Sequence, residues 1–236
     1  KFCDLKPAYG DIFSNEIKKY DFWGFCDMDI IWGDTRGFIT DNILKNYDII
    51  SSRKNAISGH FTLFKNNNEL NKLYRKVPNY AMLFEQSRFM WFDEQVLTKY
   101  LSNLKTHNLS ILWSKTLLNK ERDIDSHQEY YLDKWLWKDG KMMEQKNEKT
   151  INEVMYLHFI NWKKTMRTSE INYNDQPPQF YISYTGIHYN PHSKIEILLN
   201  DIKNIFNGYF VKLKKRELTN KIISILKRVK NKHIDG

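Results

Sequence analysis

Asp27 and Asp29 stand one residue apart at the end of an apolar run, Phe22 to Cys26, that reads as a buried strand. Side chains alternate along a strand, so a strand continuing through Met28 puts both carboxylates on one face and turns Met28 away. Two carboxylates on one side of a buried strand end repel each other and are costly to desolvate. A hard divalent cation removes both penalties, and Mg²⁺ or Mn²⁺ characteristically takes one or two protein carboxylates together with substrate phosphate oxygens. The competing reading is a solvated loop carrying two acids, because Asp-x-Asp is a common pair.

Other residues of chemical interest follow. His60 comes directly after Gly59, which permits close backbone approach, and is a candidate donor or acceptor toward a substrate or an ordinary strand histidine. Asp93 and Glu94 precede the helical pattern Val96, Leu97, Tyr100 and Leu101; there Asp93 suits an N-cap and Glu94 the positive end of the helix dipole. Val154 to His158 reads as an apolar strand ending in histidine, with Lys163 five residues later. A neutral imidazole is a good Mn²⁺ ligand and a lysine a good point charge for phosphate, while a histidine packed in the core is the alternative. His188 and His192 flank Asn190-Pro191 without a third ligand nearby in sequence, which favours a surface loop.

The elements that must position these residues alternate between strand and helix. Ile12, Phe13, Ile17 and Tyr20 form an amphipathic stretch ahead of the first strand, and Gly33 to Gly37 makes a turn. A helix starts near Thr40-Asp41, strands cover Tyr47 to Ser52 and Gly59 to Phe64, and Leu70, Leu73 and Tyr74 mark another helix. Tyr130 to Lys141 reads as a hairpin turning at Asp139-Gly140. Gln176-Pro177-Pro178 breaks the pattern, Phe180 to Thr185 gives one more strand, and the chain turns helical from Ile195.

Three segments in order, Lys1-Phe-Cys-Asp-Leu-Lys-Pro-Ala-Tyr-Gly, Tyr20-Asp-Phe-Trp-Gly-Phe-Cys-Asp-Met-Asp-Ile-Ile-Trp-Gly-Asp and Gly59-His-Phe-Thr-Leu-Phe-Lys-Asn, resemble bacterial GT-A-type glycosyltransferases of the capsule and lipopolysaccharide group. The resemblance is dense from Lys1 to about Glu94 and thin beyond. It implies an α/β fold, with a GT-A-like mixed sheet flanked by helices, and an Asp27-x-Asp29 motif that holds Mn²⁺ or Mg²⁺ on a nucleotide-diphosphate sugar. Asp4 and Lys6 match positions that contact the donor sugar, with helix surface as the alternative. An acid at the stage of Asp93 or Glu94 sits beside the acceptor hydroxyl in many such enzymes. More loosely, the His158 stretch is similar to a His-x-x-Gly-x-x-Lys-Pro-Trp segment of retaining families, in which the histidine completes the metal shell and the lysine, here Lys163, meets the diphosphate. The glycine and the Lys-Pro-Trp order are missing here, and retention or inversion of configuration stays open.

Residues 1–176 are therefore expected to form a GT-A-like catalytic region and 177–236 a C-terminal strand, loop and basic helical extension. GT-A domains place a βαβ nucleotide-binding half ahead of the acidic motif, and only 26 residues precede Asp27. The sequence is thus expected to begin inside a longer protein. Its 236 residues are 41% hydrophobic and 15% aromatic, enough for a sizeable core. Two cysteines, Cys3 and Cys26, in apolar or motif surroundings suggest thiols in a reducing compartment. No apolar run approaches a membrane span, so a cytoplasmic protein is expected. The formal charge of +9 points to acidic partners. From Lys212 to Lys232 the basic residues face only Glu217 and Asp235, and Leu218, Ile222, Ile225, Leu226 and Val229 fall at helical spacing. Such a basic amphipathic helix docks on the protein body or lies on the anionic inner face of the cytoplasmic membrane.

The expected partners are a nucleotide-diphosphate sugar and a glycan or lipid-linked glycan, with no nucleic acid; a basic nucleic-acid-binding module is an alternative that would explain the charge and aromatics, but the basic residues cluster in the tail and no such binding motif appears. A metal-dependent phosphotransferase or nuclease would use the same carboxylates but needs further acids for a second ion.

Overall fold

The computed structural model describes residues 2–103, 109–114, 130–146, 149–159, 165–172, 174–212, 214–215, 218–219 and 221–222. It is a mixed α/β structure with three sheets. In the first, β1 (Phe22–Cys26), β4 (Phe61–Lys65) and β3 (Ile49–Ser51) are antiparallel neighbours, and β5 (Ile111–Trp113) adds to β3 in parallel. Trp23, Phe25, Ile49 and Phe64 face a core shared with Leu70, Leu73, Phe92 and Leu97 from the surrounding helices. Trp23 stacks on Phe64 at 4.8 Å and donates from its indole to Asn71 Oδ1.

The second sheet centres on a meander of β6 (Trp135–Lys138), β7 (Lys141–Lys146) and β8 (Lys149–Val154). The expected hairpin turn is there: Asp139 and Gly140 both take positive φ, 48° and 79°, as a tight Asp-Gly turn requires. β11 (Gln179–Ser183) pairs with β6, β12 (Gly186–His188) with β11, and β10 (Thr168–Ser169) with β12. Strands from both sides of Gln176-Pro178 thus share one sheet, so the expected boundary at 176/177 falls inside a hydrogen-bonded unit. The proline pair breaks the strand pattern locally; Pro178 accepts from Asp139 N at 3.0 Å, tying the segment to the hairpin turn.

The third sheet has two strands, β2 (Ile30–Trp32) and β9 (Tyr156–His158), and it joins the other two. β2 leaves the first sheet after a bend at Asp27–Asp29, and β9 leaves the second after Met155. Gly33 is needed where they meet: its N–H reaches Met155 O at 2.7 Å, and a Cβ there would lie 2.8 Å from Met142 N.

Two local readings change. The stretch after Gly33 contains a short helix, Thr35–Phe38, because Asp34 caps it by accepting from Gly37 N at 2.8 Å. Asp93 caps nothing: the turn preceding the helix Leu97–Asn103 is a π-helix, Phe92–Val96, entered through Trp91 in the left-handed region. Thr40 does cap the helix Asp41–Asn46 as expected.

At the far end Ser193 and Glu196 form a capping box on the helix Lys194–Phe206, and the described residues from Tyr209 to Ile222 are again helical. The helix Lys194–Phe206 is amphipathic in an inverted sense. Asn200 and Asn204 are buried and donate to Tyr130 O at 2.8 and 2.7 Å, whereas Ile195 is 70% and Phe206 86% exposed. Among the described residues no helix is long and apolar enough to cross a membrane.

Candidate metal centre

Asp27 and Asp29 do meet, but by a different device from the one read in the sequence. The strand stops at Cys26 and the chain bends, throwing Met28 fully into solvent (102% exposed), before β2 begins at Ile30. Asp27 N keeps a long hydrogen bond to His60 O (3.4 Å), and Asp29 O accepts from Phe159 N (2.9 Å). The bend is therefore pinned to the first sheet on one side and to β9 on the other. The β2–β9 register sets Ile30 opposite His158, which brings the imidazole to the two acids. His158 Nε2 lies 3.4 Å from Asp27 Oδ2 and 3.4 Å from Asp29 Oδ1.

These three donors lie within 4.8 Å of one another. Around an octahedral ion with bonds of about 2.1 Å, neighbouring ligand atoms are about 3.0 Å apart and opposite ones about 4.2 Å. The spacing and the two-carboxylate, one-imidazole chemistry fit a single divalent cation. Among the described residues His158 Nδ1, which in a metal-bound imidazole usually donates an outer hydrogen bond, is enclosed with no hydrogen-bond partner. Burial tends to lower the pKa of His158, but its contacts with Asp27 and Asp29 prevail and hold it above the ordinary 6.5. Burial likewise opposes ionisation of Asp27, yet His158 and Lys6 hold that carboxyl below its usual range.

Lys6 extends the cluster inward. Its ammonium donates to Asp27 Oδ1 at 2.5 Å and to Gly59 O at 2.7 Å, and lies 3.8 Å from Asp93 Oδ2. Asp93 is 2% exposed. Burial pushes its carboxyl up to about 7, with Glu94 and Asp4 adding to the rise and Lys6 opposing it. Glu94 is engaged at both oxygens, accepting from Gly59 N at 2.9 Å and pairing with Arg53 at 3.1 Å. Gly59 is required here, since a Cβ would come within 2.9 Å of both acids.

His60 is 5% exposed, and burial with the neighbouring His158 lowers its pKa to about 3, so the ring is neutral. Tyr156 Oη contacts His60 Nδ1 at 2.7 Å and donates to Ser52 Oγ at 2.6 Å, which in turn donates to Phe61 O. His60 Nε2 is enclosed and, among the described residues, without a hydrogen-bond partner. The rings of His60 and His158 lie 4.6 Å apart.

The family model described as a family of unknown function (DUF6625) matches residues 1–191. The chain belongs to that family. No curated protein and no solved structure matches it significantly. The DUF6625 match takes in every residue of the cluster and ends before the helix Lys194–Phe206.

Of the residues singled out in the sequence, the fold brings Asp27, Asp29, His158, Lys6, His60, Asp93 and Glu94 into one contiguous group. Asp4 belongs to its support. That carboxylate is fully buried and accepts from Phe92 N at 2.8 Å and Met90 N at 3.0 Å, holding the backbone on either side of Trp91, so it does not face a donor sugar. Lys163 lies outside the described residues. Tyr156 and Arg53 escaped the sequence reading. Tyr156 stands two residues before His158, on the same strand face by alternation, which was the available signal.

Proposed function

We propose that this protein is a metal-dependent glycosyltransferase that moves a sugar from a nucleotide-diphosphate sugar to a surface-glycan acceptor. The observation that carries the reading is the convergence of Asp27, Asp29 and His158, from chain positions far apart, on a volume the size of one divalent ion. A bound Mn²⁺ or Mg²⁺ would supply Lewis-acid stabilisation to the departing diphosphate, an effect worth several kcal/mol. In the reaction the acceptor oxygen bonds to the anomeric carbon, the carbon–oxygen bond to the diphosphate breaks with its electron pair on the nucleotide, and the hydroxyl proton ends on diphosphate or solvent. The chain's own part is positional. Asp27 and Asp29 hold the ion face, Lys6 fixes the Asp27 carboxylate, and the neutral His60 backs His158 without adding charge.

The inverted helix Lys194–Phe206 supports attachment to the anionic inner face of the cytoplasmic membrane. Its apolar side is outward, and Lys212, Lys214, Lys215 and Lys221 follow it. Co-sedimentation with anionic vesicles at low salt, lost in a Leu198→Gln/Phe206→Gln variant, is the matching test.

The central experiment is a panel of nucleotide sugars screened by thermal shift with and without Mn²⁺. A ligand at 100 times its dissociation constant adds about 2.7 kcal/mol of stability. Mn²⁺ alone is expected to bind weakly and Mn²⁺ with one nucleotide strongly. The reading fails if no nucleotide sugar stabilises the protein in a metal-dependent way.

A further inference from the structure

Beside the metal centre, β2 runs along the wall of a cleft of about 580 Å³. That volume falls in the range of about 300–1,000 Å³ typical of small-molecule sites. Ile31, on the wall, stands two residues from Asp29, about 7 Å along an extended chain. The opposite walls come from the second sheet and from the segment that includes Asn172, Asp175 and Gln176.

The wall has a definite chemistry. Trp137 and Phe180 stack at 5.0 Å with their planes 13° apart, and the Trp137 indole donates to Trp32 O at 2.9 Å, which fixes the aromatic pair against the end of β2. The segment across from them is organised by its own bonds. Asp175 accepts from Asn172 N at 2.7 Å and from the Tyr189 hydroxyl, and Asp175 N reaches Asn172 O at 3.0 Å. The Asn172 side chain bonds Asp175 as well, while the exposed Gln176 amide, also on the wall, offers both donors and an acceptor. Finally, the chain carries 37 Lys and Arg residues and a net charge of +9, yet among the described residues no Lys or Arg lines this cleft, and the one charged group there is Asp175. Such a wall disfavours phosphate, uronate and nucleic acid, while an aromatic surface beside an exposed amide suits a hydroxyl-rich ring with an apolar face.

We propose that the cleft lined by Ile31, Trp137, Phe180, Asn172 and Gln176 binds the acceptor, as the uncharged sugar end of a glycan. Its role as acceptor site rests on the transferase reading above; its affinity for neutral carbohydrate stands on the cleft alone. The anionic donor is held on the metal side of β2 and the neutral acceptor on the cleft side, so charge sorts the two substrates.

The test uses the intact protein on a glycan array carrying neutral and acidic oligosaccharides, followed by titration of the strongest-binding neutral trisaccharide. Neutral glycans are expected to bind and acidic ones not. The Gln176→Ala variant changes an exposed side chain and is expected to lose at least tenfold in glycan affinity, with metal-dependent nucleotide binding and melting temperature unchanged. A second variant, Asn172→Trp, should block the cleft sterically to the same effect. Preference for acidic glycans, absence of any glycan binding, or undiminished affinity in both variants overturns the proposal. Glycan binding that persists in a protein showing no metal-dependent nucleotide binding supports the cleft and sinks the transferase reading instead.

Discussion

Two groups in this molecule combine histidine with aspartate, and they behave oppositely. Asp133 accepts from His192 Nδ1 at 2.8 Å, from Ser183 Oγ at 3.1 Å and from the His192 backbone N–H, while its own N–H donates to Ser183 Oγ at 2.8 Å. Both carboxylate oxygens of Asp133 have near partners, and the effect is to tie the 130–134 segment to β11 and to the loop before the helix Lys194–Phe206. At Asp27, Asp29 and His158 the same residue types stand at 3.4 Å, His158 Nδ1 has no partner among the described residues, and a lysine supplies positive charge. A saturated group stabilises a fold. A spacious one with surplus negative charge is where a cation gains most.

The largest expected effect separates the two at once. Asp29→Asn should lower metal-dependent nucleotide binding by more than 100-fold, since loss of even outer partners of a metal ligand costs about 10–100-fold. Its melting temperature should move by no more than about 2 °C. Calorimetric titration with Mn²⁺ and UDP reads the first and a thermal melt the second; binding within tenfold of the parent would erase the contrast. Asp133→Ala should do the reverse. It strands the His192 and Ser183 partners, and a loss of about 2–4 kcal/mol in chemical denaturation, with nucleotide affinity per folded molecule unchanged, is expected.

Lys6→Met sharpens the contrast from the inside. Without the ammonium, Asp27 loses its competitor cation, and Mn²⁺ alone should bind about tenfold more tightly, a change of about 1.4 kcal/mol. Weaker Mn²⁺ binding in that variant would show that Lys6 helps to assemble the ligands rather than competing with the ion.

The smallest effect is on pH. Because the native pKa of His158 is raised, its contact with the acids stabilises the metal-free protein fully below about 6.5 and fades as pH rises through the raised native value. Metal binding needs the neutral ring, so Mn²⁺ affinity should climb over that same interval. Stability and affinity measured between about pH 6 and 8 should therefore run in opposite directions, and parallel curves would remove His158 from the ligand set.

How much of this was legible beforehand depended on range. The strand Phe22–Cys26, the Thr40 cap and the Asp139-Gly140 turn were readable because each is decided by neighbours in sequence. The pairing of Asp27 with Asp29 was readable too, though the cause assigned to it was alternation where a bend is at work. Asp4 shows the limit. An acid satisfied by backbone N–H groups and an acid facing a substrate have the same letter, and only the distant Phe92 and Met90 amides tell them apart. Asp93 is similar: its raised pKa comes first from burial in a π-helical turn and then from the Glu94 and Asp4 carboxylates, and neither the burial nor the approach of Asp4 is visible in the local pattern.

The β2–β9 pairing also governs when the site comes into being. His158 follows Asp27 by 131 residues, so the cluster closes across a long stretch of chain, the kind of contact that forms late in folding. At synthesis rates of about 5–20 residues per second, roughly 7–26 s separate the appearance of the acids from that of the imidazole. Lys6, the ion-pair partner of Asp27 in the folded protein, lies only 21 residues ahead of it and is made first. The Asp27–Lys6 contact therefore needs far less chain than the Asp27–Asp29–His158 cluster, which waits for the second sheet to deliver β9.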